Sequence, residues 1–307
     1  MRLSSSALAD CFHINPESSP SMLGYLLSLL LAVPSRSTAP GPTNWEKIFE
    51  GPSSDRFIAA LHATSRDDWF VGGGWGVARA SKSSVAREDT HGRSVLGLFY
   101  DGPNSVFAIG ADELVVHYDG KRWTQEHLGP APKRPGRGTD LLHSAFYMGA
   151  APDAPLVAFG PWLVLVRQTS GTWILPPEPE RERLSNLGEL GPEIKRPPKC
   201  DAAGWDWIGR DKGVFFCHDR RAFLFEAGTI TPKGTIPRKC YRSFDSLTYA
   251  NGDIYASCSE GTLWKTEGQP WRSIAPPKRL KEIPAVSVAD GCVFVASGRS
   301  VWRSCDH

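Results

Sequence analysis

The chain lacks several features that would announce a function. Charge of one sign is missing: 35 Lys and Arg face 33 Asp and Glu over 307 residues, a formal net charge of +2. Such a balance gives no field for gathering a polyanion, so a dedicated nucleic-acid binder is not expected. Long apolar runs are missing too. The longest, Leu23–Val33, has 11 residues, short of the roughly 18 that a membrane-spanning helix needs. No Cys-x-x-Cys pair occurs, so zinc ribbons and thioredoxin-type redox sites are not expected. The 8 histidines show no metal-ligand spacing, and there is no Gly-x-Ser-x-Gly, His-Glu-x-x-His or phosphate-binding loop. No catalytic residue, metal or cofactor is expected.

Glycine (30), proline (25) and tryptophan (11) are plentiful, with 41% hydrophobic and 22% charged residues. That mixture suits an ordered chain of short strands and many turns better than long helices. Leu23–Val33 has the length of a signal-peptide hydrophobic core, and the small residues Ser35, Ser37 and Ala39 follow it. Met22 stands directly before this run and reads as the true translation start. Residues 1–39 are assigned to a targeting segment and 40–307 to a single domain. Losing the first 39 residues removes Arg2 and Arg36 together with Asp10 and Glu17, so the net charge stays +2. The expected product is bacterial and either secreted or held in the periplasm or at the cell surface, with no stable membrane span. Cys11 is lost with the leader. The remaining six, Cys200, Cys217, Cys240, Cys258, Cys292 and Cys305, form successive pairs 17, 18 and 13 residues apart. An even number in an exported chain reads as disulfides.

Internal similarity is the most informative feature. Trp69–Ala80, Val106–Tyr118, Leu156–Arg167, Val214–Phe225, Ile254–Lys265 and Val293–Arg303 each join two β-rich runs through a short turn. Their starts lie 37, 50, 58, 40 and 39 residues apart. A period of about 40–50 residues is that of a propeller blade with four strands. Further apolar runs at Phe57–Ala63, Ser94–Tyr100, Leu141–Tyr147, Ser246–Ala250 and Ala285–Ala289 supply innermost strands a. Trp123, Trp173 and Trp271 follow turns and start outermost strands d. The sixth hairpin ends at Cys305 without a strand d, and Asn44–Phe49 is an orphan strand d at the other end. Pairing the two closes a ring of six and removes both sheet edges. The expected fold is an all-β, six-bladed β-propeller closed by its N-terminal strand. A stacked solenoid would need end caps that are not seen. In the last hairpin a turn at Gly298-Arg299 places Cys292 opposite Cys305, close enough to bridge. Cys200–Cys217 and Cys240–Cys258 are favoured within blades, with bridges between neighbouring blades the alternative.

Asp67-Asp68-Trp69-Phe70-Val71-Gly72, Ser105–Gly110 and His117-Tyr118-Asp119-Gly120 with Trp123 resemble the repeats of secreted bacterial β-propellers. Ser257–Trp264 resembles a degenerate Asp-box, the turn motif of sialidase-like propellers, with Ser259 where the aspartate belongs. The resemblance implies a propeller and an exported location. Such repeats define blades, so it implies no particular chemistry.

Function is then sought on surfaces. Gly72–Gly76 leads into a second strand, so no helix N-terminus is offered to phosphate, and it reads as a b–c turn. His117 alternates with apolar neighbours and reads as structural. Paired carboxylates for glycoside hydrolysis have candidates in Asp67/Asp68, Asp201/Asp206 and Asp112 with Glu260, but no arginine cluster or tyrosine nucleophile accompanies them. In a propeller the b–c turns and d–a connections share one face. The turns place Trp75, Asp112, Trp162, Arg220, Glu260 and Arg299 around a ring, where exposed tryptophans would be docking anchors. The Pro-rich connections 128–140, 175–199 and 275–283 join this face and bring Lys133, Arg134, Arg137, Lys195, Arg196, Lys278, Arg279 and Lys281. The reading is a non-catalytic binding module for a glycan or protein partner, anionic by preference. The alternatives are a sialidase-like hydrolase with carboxylates at the central channel, and a structural cell-surface component, which low exposure of Trp75 and Trp162 would favour.

Overall fold

A computed structural model describes residues 44–52, 57–81, 84–88, 90–102, 104–129, 140–149, 151–240, 244–258, 261–266, 270–277 and 280–305. The expected leader with Met22, Glu260, Lys133, Arg134, Arg137, Lys278 and Arg279 lie outside the described residues. Among the described residues no helix is long and apolar enough to cross a membrane.

Twenty-four strands form six four-stranded antiparallel sheets. Blade 1 comprises β2 (Ile58–Ser65), β3 (Asp68–Gly73), β4 (Gly76–Ser81) and β5 (Ser84–Glu88). Blade 2 comprises β6 (Val95–Gly102), β7 (Ser105–Gly110), β8 (Val115–Tyr118) and β9 (Trp123–Gln125). Blade 3 comprises β10 (Ser144–Tyr147), β11 (Leu156–Phe159), β12 (Val164–Arg167) and β13 (Trp173–Ile174). Blade 4 comprises β14 (Ala202–Gly209), β15 (Lys212–Cys217), β16 (Arg221–Glu226) and β17 (Thr229–Thr235). Blade 5 comprises β18 (Phe244–Ala250), β19 (Asp253–Cys258), β20 (Thr262–Thr266) and β21 (Trp271–Ile274). Blade 6 comprises β22 (Ala285–Ala289), β23 (Cys292–Ser297) and β24 (Ser300–Ser304), and takes its fourth strand, β1 (Glu46–Glu50), from the other end of the chain. This is the six-bladed propeller expected, closed as expected. Phe49 lies opposite Val301 and Glu50 opposite Ser300. Arg299 meets Glu50 at 2.8 Å, and Arg303 meets Glu46 at 2.8 Å.

The core is divided among the seams between blades. Phe49, Trp69, Phe294 and Val301 fill the seam of blades 6 and 1. Phe70, Val77, Val106 and Trp123 fill the next, and Phe107, Leu142, Leu165 and Trp173 the one after. The b and c strands therefore bury both faces, one toward either neighbour. This is why so many b and c strands read as unbroken apolar runs.

One position, the end of strand b, shows how the blades are anchored. In blades 1 to 3 it is Gly73, Gly110 and Gly160. A Cβ there would sit 2.5 Å from the Phe57 carbonyl oxygen, 1.9 Å from that of Ser94 and 1.6 Å from that of Leu141. The chain entering strand a passes too close for any side chain. In blades 4 and 5 the position is Cys217, opposite Ala202, and Cys258, opposite Phe244. There the same approach is made covalently, by Cys200–Cys217 and Cys240–Cys258, each with Cα atoms 5.1 Å apart. Cys292–Cys305 ties strands b and c of blade 6. Replacing Cys240 and Cys258 together by serine should cost about 3 kcal/mol, the value for a loop of this length. Urea unfolding of the oxidised double variant measures this, and a cost under about 1 kcal/mol would show that the staple is dispensable.

One connection departs from expectation. The 175–199 segment, a Pro-rich connection in sequence, contains α1 (Glu178–Leu190). Its prolines are confined to the flanks and the first turn, where a missing N–H is harmless. Glu178 and Glu180 suit the helix N-terminus, and Gly191 closes the other end at φ 76°. Leu184 is buried. Gly188 lies so close to Phe159 that a Cβ would be 2.8 Å from its ring. The Trp207 indole donates to the Leu187 carbonyl at 3.3 Å. The helix thus seals one end of blades 3 and 4.

Candidate functional site

The ring of b–c turns resolves into two kinds of residue. Trp75 is half-buried. Its ring packs on Phe49 at 5.9 Å, and the Arg87 guanidinium lies 5.6 Å from its centroid. Arg299 is held by Glu50, and Arg220 donates to the Ile236 carbonyl at 3.2 Å. These three fasten turns to neighbouring chain. Asp112 is exposed, at φ 55°. Trp162 stands out at 61% exposure.

Among the described residues, five large apolar side chains are exposed: Phe57, Val85, Trp162, Ile174 and Leu190. Val85 and Ile174 belong to outer strands d, at the rim. Phe57, Trp162 and Leu190 lie on the face of the b–c turns and d–a connections. Phe57 precedes strand a of blade 1, Trp162 is in the turn of blade 3, and Leu190 ends α1.

The described part of this face carries charge of both signs. Lys195, Arg196 and Lys281 are exposed on it, but so are Glu189, Glu193, Asp245 and Glu282. Two of the acids act on groups that line the channel, His143 and Asp245. Glu189 reaches the field of His143, whose pKa burial lowers and that charge raises. Glu282 acts with burial to push Asp245 upward.

The inner strands enclose a channel cavity of about 300 Å³. At one level of it the strand-a residues opposite Phe70, Phe107, Val214, Tyr255 and Phe294 are His62, Phe99, Asp206, Thr248 and Ser287, while the blade 3 residue in the same register, Phe146, is buried in the seam with blade 4. His62 stacks on Tyr100 at 4.4 Å, and burial lowers its pKa to about 4, so it is neutral at physiological pH. Burial pushes Asp206 up to about 7, against a lowering hydrogen bond from the Trp207 backbone N–H. Asp245 also lines the channel, whereas among the described residues no arginine or lysine does. A sialidase-like centre would need an arginine cluster, which this lining does not provide.

Of the other carboxylate candidates, Asp67 and Asp68 are in structural use, Asp67 3.3 Å from Arg303. Asp68 is fixed by Arg79 at 2.7 Å, and Arg79 also donates to the Tyr118 hydroxyl. The backbone carbonyl of Asp201 accepts from the His218 N–H at 2.8 Å. His117 stacks on Phe107 at 4.3 Å, with its Nδ1 3.3 Å from Glu126. Among the described residues no group of three His, Cys, Asp or Glu is placed to hold a metal ion. The sequence names Asp206 as a carboxylate candidate beside Asp201, whereas in the structure it shares the channel lining with Asp245, which the sequence reading does not single out.

No protein-family model matches this chain, and no curated protein sequence does. Solved structures resemble it in fold. A WD40 β-propeller domain of Doa1 is 13% identical with a TM-score of 0.50, covering 85% of this chain and 96% of that one. A Bacteroides thetaiotaomicron protein of unknown function is 9% identical with a TM-score of 0.51, covering 85% of this chain and 72% of that one. YCF48 bound to a D1 peptide is 12% identical with a TM-score of 0.49, covering 87% and 98%. At such identities the likeness is one of fold, and the chain is a six-bladed β-propeller whose use is set by its own surface.

Proposed function

We propose that this protein is an exported, non-catalytic binding module that docks a protein partner on the face of its b–c turns and d–a connections. The supporting observation is the grouping of Phe57, Trp162 and Leu190, the last two more than half exposed, on that one face. Exposed aromatic and aliphatic side chains in a polar surround are typical anchors of a protein interface. Leucine and phenylalanine beside tryptophan favour a protein over a glycan. Lys195, Arg196 and Lys281 around acidic groups supply a polar rim that sets orientation and on-rate more than affinity. Export is supported by three disulfides, which persist in oxidising compartments, together with the apolar run Leu23–Val33. The same supports assign 1–39 to a cleaved leader.

A photo-crosslinking amino acid at position 57, 162 or 190, introduced in the native host, should give one common protein adduct. The same probe at Val85 on the rim should not. With the captured partner purified, Trp162→Ala should weaken binding by about tenfold or more. Its unfolding midpoint should be unchanged, because the side chain is exposed. Adducts at position 85 matching those at 162, or none at any position, would remove this reading.

A further inference from the structure

The central channel has an unmet electrostatic requirement. Asp206 lies midway along strand a of blade 4 and lines the cavity. Its one lowering influence is the Trp207 backbone N–H. Asp245, nearer the b–c face on blade 5, lines the same cavity. Among the described residues no lysine or arginine is in the lining, and the histidine at the Asp206 level, His62, is neutral. Lys212 and Lys233 approach the Tyr249 ring at 4.5 and 5.8 Å, and neither belongs to the cavity's lining. Lys212 is paired with Glu226, and Lys233 donates to the Gly252 carbonyl. A carboxyl enclosed without a cation is costly, and a positive group supplied from outside removes that cost.

The geometry points to a binding site for a small organic cation, an alkylammonium or guanidinium group, inside the channel, with Asp206 as its counter-ion and Asp245 nearer the mouth. The cavity, about 300 Å³, is at the lower end of small-ligand pockets and far larger than a bare metal ion. Its walls include Ser144, Ser246 and Thr248, whose hydroxyls accept from N–H groups. An anion would meet only carboxylates and neutral groups. This site stands independently of any partner on the outer face.

Calorimetric titration of the whole protein near pH 8 tests it. The probes are putrescine, its uncharged analogue 1,4-butanediol, and the peptide Gly-Gly-Arg-Gly-Gly. Putrescine, the peptide, or both should bind with one-to-one stoichiometry, and butanediol should not. Putrescine alone would identify a free amine as the ligand class, and the peptide alone a side chain presented by another protein. Asp206→Asn, which keeps the side chain's size, should weaken the cation by about tenfold or more. Asp245→Asn, on another blade, should weaken it several-fold and keeps the test open if the first variant does not fold. Absence of binding by both cations at millimolar concentration would overturn the proposal. So would equal binding of butanediol, or affinity unchanged in both variants.

Discussion

Phe49→Ala should cost about 3–5 kcal/mol, the usual range for emptying a buried phenylalanine site, and lower the unfolding midpoint by roughly 10 °C. Phe49 is 7% exposed and packs edge-on against Trp69 with centroids 5.5 Å apart. It also backs Trp75, and Arg87 lies over both rings. It belongs to a five-residue strand and is the apolar plug of the closing seam. The other attachments are the partly buried Ile48, the Trp45 indole N–H to the Ala275 carbonyl at 2.8 Å, and the ion pairs Arg299–Glu50 and Arg303–Glu46, the pairs worth about 1 kcal/mol each at most. Losing the ring therefore removes the largest buried side chain of β1, and limited proteolysis should cleave before residue 57 sooner than in the wild type. Phe57→Ala is the matched control. That side chain is 41% exposed and should cost under about 1 kcal/mol. Equal effects of the two substitutions would mean that ring closure does not depend on this plug.

The ring closure was readable because both ends of the chain are incomplete in complementary ways. Hairpins b–c were readable because they alternate strand runs with short turns. The glycine ending strand b in the first three blades was visible as a repeat, but its reason was not. Only the close approach of the Phe57, Ser94 and Leu141 carbonyls explains it, and only the fold shows that Cys217 and Cys258 hold the same position. Strand a of blade 4 escaped notice because Ala202–Gly209 contains two glycines and an aspartate and has no apolar run. The helix escaped because proline density was read without regard to position. Trp75 and Trp162 look alike in sequence, each in a b–c turn. Phe49 and Gly51, both at the N-terminal end, make one of them structural, since a Cβ on Gly51 would lie 3.2 Å from the Trp75 indole nitrogen. Channel residues were the least legible, because six strands far apart in sequence contribute them.

Stability should depend on pH through two carboxyl groups with opposite signs. Burial alone would raise the Glu126 pKa. Hydrogen bonds from His117, Arg167 and Trp173, and the Arg167 charge, reverse this and bring it to about 2. Arg167 donates through Nε at 3.0 Å and Nη2 at 2.7 Å, and the Trp173 indole N–H completes the set. A folded-state pKa below the ordinary 4.5 contributes stability that is fully present above about pH 4.5. It is lost as pH falls toward 2, and amounts to about 3 kcal/mol. Glu126→Gln should therefore be destabilising at pH 7 and should flatten the acid limb of the stability curve. Asp206 runs the other way. Its pKa rises from 3.8 to about 7 in the folded protein, so the unfolded chain ionises first. Folding is then penalised increasingly between about pH 4 and 7, by up to about 4 kcal/mol above that. Asp206→Asn should be more stable than the wild type at pH 8, with the gain shrinking to nothing near pH 4. Urea midpoints of the two variants and the wild type across this range measure both slopes. A gain from Asp206→Asn that does not vary with pH would mean that the channel carboxyl is already ionised or already paired. A saturating organic cation should abolish the same gain by giving the ionised carboxyl its partner, which ties the stability of the fold to occupancy of its channel.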